Sequence, residues 1–119
     1  MASPDRPGST KSETPQAGGI TVGAFQQLIR ERYYPTDSAR GTPGTFMWFI
    51  EEIGELATAL QDNVPGKSPP PTAAQRTNLE EEFADVLAWL MTLANIEGVD
   101  MEGAIARKYF KDGGPKGHK

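Results

Sequence analysis

The chain has 119 residues, 37% of them hydrophobic and 24% charged, which fits one small domain. A net charge of -4 argues against a nucleic-acid polymer held by phosphate attraction, and the lack of cysteine excludes disulfides and thiolate metal sites. No apolar run approaches membrane-spanning length and the N-terminus has no apolar leader-like core, so a cytoplasmic protein with no membrane partner is expected.

Residues 1–19 are rich in Pro, Gly, Ser and Thr and read as a disordered tail. Residues 20–111 carry the helical periodicity of the domain, and residues 112–119 read as a flexible C-terminal tail. Thr21 is placed to cap a first helix reaching about Tyr34, with Val22, Phe25, Leu28 and Ile29 on its apolar face. Pro35 should end it, and residues 36–44 read as a loop containing Arg40. A second helix over residues 45–61, capped by Thr45 or Thr42, has the stripe Phe46, Phe49, Ile50, Ile53, Leu56, Ala57 and Leu60. Asn63, Pro65 and Gly66 stop it, and a proline-rich connector follows over residues 64–72. The third helix begins within residues 72–77 and runs to Glu97, with Leu79, Phe83, Val86, Leu87, Leu90, Leu93 and Ala94 as its core stripe. Gly98 is a natural C-cap, and Asp100 caps a short fourth helix from Met101 to about Phe110. With no strand pattern and no internal repeat, the expected architecture is an all-α four-helix bundle.

The chemistry lies on the two middle helices. Glu52 and Glu55 are one turn apart on the shoulder of the second helix's stripe, and Glu82 and Asp85 repeat the arrangement on the third. One Glu-x-x-Glu pair is commonplace on a solvated face. Two such pairs on helices that must pack together would repel and be desolvated unless a cation occupied the cluster. Carboxylate oxygens are hard ligands, and the single histidine, His118, lies in the tail. The implied ion is Mg²⁺, or Mn²⁺, a setting that recruits phosphates. The residues therefore point to a metal-dependent phosphate-ester or anhydride site.

The segments EEIGELATAL and LEEEFADVLAWL resemble the MazG nucleoside triphosphate pyrophosphohydrolases, whose signature is E-x-x-E on one helix and E-x-x-D on the next. The likeness spans about residues 25–110 and extends to the wider all-α pyrophosphohydrolases, including dimeric dUTPases and phosphoribosyl-ATP pyrophosphohydrolases. It implies Mg²⁺-dependent hydrolysis of a nucleoside or deoxynucleoside triphosphate to the monophosphate and pyrophosphate, with nucleotide-pool house-cleaning as a role. It implies Glu52, Glu55, Glu82 and Asp85 as metal ligands and a homodimer or dimer of dimers. Glu51 and Glu52 are both candidates for the general base.

Trp48 and Trp89 lie one turn from the acids, where an indole would stack on a base or simply fill core or interface space; packing is the commoner use. Arg107 and Lys108 on the last helix are candidate phosphate contacts, with a basic turn favoured by the helix dipole as the plain alternative. Arg40 reads as a solvated loop arginine within possible reach of phosphate. Two other functions compete: a non-catalytic dimerisation or nucleotide-sensing module that keeps the acidic site, and a carboxylate-bridged iron or manganese bundle. The second wants Glu-x-x-His pairs, which the sequence lacks.

Overall fold

The computed structural model describes residues 19–111; the expected tails fall outside the described residues, apart from Gly19. Three α-helices are present among them: α1 (Val22–Asp62), α2 (Ala73–Glu97) and α3 (Met101–Ile105), followed by a π-helical turn (Ala106–Phe110). The first two expected helices are the two arms of α1, joined across a non-helical residue at Gly41. No strand occurs among the described residues.

Thr21 caps α1 by accepting the Ala24 N–H at 3.0 Å. The helix then continues through Pro35, contrary to the expected stop. Proline removes one N–H from the ladder but supplies a helix-compatible φ, and its exposed position here leaves the freed carbonyl open to water. The break comes at Gly41, whose φ of 79° and ψ of 176° lie where only glycine is comfortable. Pro43 stands in the first turn beyond that break, where a missing N–H costs nothing. The expected loop over residues 36–44 is thus a sharp kink between two helical arms.

The second arm of α1 runs antiparallel to α2 in constant register. Thr42 donates its hydroxyl to Glu97 near one end. Trp48 stacks on Trp89 in the middle. Asn63 closes the other end, donating to the carbonyls of Ala59 at 2.7 Å and Gln75 at 3.2 Å. Thr72 begins α2 with a full capping box: it accepts the Gln75 N–H, and the Gln75 side chain accepts the Thr72 N–H. Gly98, at φ 71°, ends α2 in the left-handed conformation.

The first arm is tied to the far end of α2 by Gln26. Its amide donates to Asn95 Oδ1 at 3.0 Å and to the Val99 carbonyl at 2.7 Å, and its oxygen accepts the Met101 N–H. Asp100 caps α3 through Gly103, and Glu102 of α3 accepts the Gly23 N–H at the start of α1.

The apolar core comprises Ile29, Ala59, Leu79, Trp89, Met91 and Ala94. Asp37, Thr45, Glu52, Asn63, Glu82, Thr92 and Asn95 are buried beside them. This corrects the expected stripes. Thr45, Glu52 and Ala59, spaced two turns apart, form the face of α1 turned inward. Phe46, Ile50, Ile53 and Leu60 lie on another face and are exposed, as are Phe83 and Leu87 of α2. Both sets have helical spacing, and periodicity alone does not say which face the same chain covers.

Candidate metal and nucleotide site

The antiparallel register brings the acids together. Glu52 from α1 and Glu82 and Asp85 from α2 place carboxylate oxygens within 4.8 Å of one another. Glu52 is 1% exposed and Glu82 3%, so two of the three are deep between the helices rather than on a shoulder. Glu55, one turn beyond Glu52, is half-buried and borders a cleft of about 380 Å³ with Thr58, Asn78 and Glu82.

Burial pushes the Glu52 carboxyl up to about 7, and the neighbouring carboxylates of Glu55, Asp85 and Glu82 push the same way. Asp85 is raised as well, again mainly by burial, with Glu82, Glu81 and Glu55 adding repulsion. Glu52 Oε1 is buried and meets no hydrogen-bond donor. An unsatisfied buried carboxylate oxygen beside two more carboxyl groups is costly as a structural feature. It suits a hard divalent cation held by an all-oxygen donor set.

Glu51 is turned elsewhere. It is exposed and lines a second cleft of about 380 Å³ with Arg40, Gly44, Met47 and Trp48. Trp48 is half-buried and its ring stacks on Trp89 at 6.4 Å between centroids, with 18° between planes. Trp89 is 2% exposed, so its ring meets protein rather than solvent. Arg107 and Lys108 lie exposed on the π-helical turn; Lys108 Nζ sits 5.5 Å above the Tyr109 ring, and the Arg107 guanidinium packs beside Gly103.

The sequence reading undervalued Arg40. It is no solvated loop residue: Nη2 pairs with Asp37 Oδ1 at 2.5 Å, Nε donates to Thr45 Oγ1 at 2.9 Å, and the guanidinium lies 5.0 Å over Trp89. The Asp37–Arg40 spacing of one turn is the available signal, and it carries weight only where residues 36–44 are helical.

An all-helical domain with a buried carboxylate cluster between two antiparallel helices defines the class: a helical protein with a candidate metal site. A family model described as the MazG nucleotide pyrophosphohydrolase domain matches residues 42–111, and the chain belongs to that family. A crystal structure of iMazG from Vibrio DAT 722 is similar at 32% identity, with a TM-score of 0.53, covering 71% of this chain and 85% of that one. No curated protein matches.

Proposed function

We propose that this protein hydrolyses a nucleoside or deoxynucleoside triphosphate to the monophosphate and pyrophosphate, using Mg²⁺ or, in its place, Mn²⁺. The observation that carries this reading is the trio Glu52, Glu82 and Asp85, closed to within 4.8 Å in the interior of a MazG domain. Those three, with Glu55 at the edge of the adjoining cleft, would hold the ion, which when bound supplies charge neutralisation for the triphosphate oxygens.

The protein's own groups do the rest. A carboxylate that the ion leaves uncommitted, Glu51 or Glu52, accepts a proton from the attacking water. Water adds at phosphorus, the bridging bond between the α and β phosphates breaks, and pyrophosphate leaves. Glu52 is buried among the ion's carboxylates, whereas Glu51 lines the cleft that Trp48 shares. Trp48 offers an aromatic face for the base, with Trp89 as backing rather than direct contact. Arg107 and Lys108 are the basic residues offered to the phosphate tail.

The exposed face of Phe46, Ile50, Ile53 and Leu60 is proposed as the contact with a second copy, giving a homodimer or dimer of dimers. Among the described residues no helix is long and apolar enough to cross a membrane. A cytoplasmic setting, with neither membrane nor nucleic-acid polymer as partner, and a nucleotide-pool house-cleaning role complete the proposal.

The test is a panel of ribo- and deoxyribonucleoside triphosphates with Mg²⁺, separating pyrophosphate from orthophosphate. The expected products are monophosphate and pyrophosphate in equal amounts. No release from any nucleotide with either Mg²⁺ or Mn²⁺, or orthophosphate with a diphosphate product, would overturn the reading.

A further inference from the structure

The kink in α1 is built around one side chain. Gly41 provides the bend, and on its two sides Asp37 and Thr45 are 1% and 0% exposed. Arg40 reaches both, through Nη2 to Asp37 Oδ1 at 2.5 Å and through Nε to Thr45 Oγ1 at 2.9 Å. Gly44 makes room for it: a Cβ at that position would come within 2.9 Å of Arg40 Cγ. The same guanidinium lies over Trp89, which stacks on Trp48. Thr42 adds a second tie, donating to Glu97 of α2.

We propose that Arg40 is a positioning residue, a latch across the Gly41 kink that fixes the rotation and register of the second arm of α1 on α2, and with them Glu52 and Trp48. The proposal rests on the reading of the carboxylate trio as the metal and nucleotide site. The physical link is the stiffness of a helix. Thr45 and Glu52 share one face, two turns apart, so a rotation or slip at Thr45 is delivered to Glu52. Arg40 suits the role because its planar fork addresses two acceptors at once while its face covers an indole; lysine offers no such geometry. A misplacement of about 1 Å at the acids is enough to cost roughly a hundredfold in rate.

The chain has two tryptophans, Trp48 and Trp89, so the exciton couplet in its circular dichroism reports their stacking directly. The experiment compares wild type, Arg40→Ala, Arg40→Lys, Thr45→Val and Thr45→Ser. Three readouts are taken: the tryptophan couplet, Mn²⁺ affinity by calorimetry, and kcat and KM on the best nucleotide of the panel with Mg²⁺. Arg40→Ala is expected to keep the far-ultraviolet helix signal and lose the couplet. Its Mn²⁺ affinity should weaken about tenfold and its kcat fall by roughly a hundredfold, with a smaller change in KM. Arg40→Lys should resemble Arg40→Ala, and Thr45→Ser, which keeps the hydroxyl, should resemble wild type.

If Arg40→Ala fails to fold, Thr45→Val, which alters no charge, carries the test, with its defects reversed in Thr45→Ser. A wild-type couplet and wild-type Mn²⁺ affinity in the folded Arg40 and Thr45→Val variants would overturn the proposal. Should wild type hydrolyse nothing, the nucleotide reading fails, while the couplet and Mn²⁺ readouts still decide the latch.

Discussion

Glu52 is a carboxylate with almost no access to water and an oxygen that meets no donor. Its raised pKa fixes the sign of the pH dependence. Folding favours the protonated form, so its stabilising contribution is complete below the ordinary value of 4.5 and is lost as pH rises through about 7. Asp85 moves in the same direction. In chelator, the melting temperature should therefore fall between about pH 5 and about pH 8, and Mn²⁺ should restore it at the upper end. Glu52→Gln should flatten that slope and leave the metal-free protein more stable at the upper end, while lowering turnover at least about a hundredfold. Thermal melts in chelator and in Mn²⁺, with pyrophosphate release measured in parallel, check all of this. Metal binding should also release protons below about pH 7, because Glu52 must ionise to bind.

At the scale of elements, the bend in α1 is the feature with the most consequence. Gly41→Ala forces a side chain into a φ of 79° with extended ψ, and the expected loss is about 1–3 kcal/mol, read as a lower denaturant midpoint with unchanged slope. Thr72→Ala removes one half of the α2 capping box and should cost about 1 kcal/mol in the same measurement. The end of α2 was legible because the Gly98 cap is local chemistry, whereas its start was bracketed only to residues 72–77 and the structure fixes it by the Thr72–Gln75 capping box. The continuation of α1 past Pro35 was not legible, since proline's usual effect is to stop a helix, and the contact of Arg40 with Trp89 that holds this segment on α2 is long-range.

The carboxylate trio was readable for a similar reason. Glu52, Glu82 and Asp85 have fixed spacings on two long neighbouring helices, and the structure brings their carboxylates within 4.8 Å of one another. Their depth was not readable, because Phe46, Ile50 and Ile53 offered a more apolar face to bury than Thr45, Glu52 and Ala59 do.

For the whole molecule that inversion matters most. A chain that turns acids inward and leaves Phe46, Ile50, Ile53, Leu60, Phe83 and Leu87 outward exposes an apolar surface a soluble monomer rarely keeps. Each of those side chains stands to gain roughly 1 kcal/mol or more on further burial. Sedimentation velocity should find an oligomer, and Ile50→Glu with Ile53→Glu should shift it toward monomer while the helices remain. A wild-type monomer at assay concentrations would remove the second copy from the account.

The proposal that two helices hold a divalent cation on three inward carboxylates is tested most directly by titrating Mn²⁺ into the metal-free protein and into Glu82→Gln at about pH 8, where Glu52 is ionised. Saturable binding to wild type, lost or weakened at least about tenfold in the variant, is the predicted result. Equal binding to both proteins, or none to wild type, would contradict it.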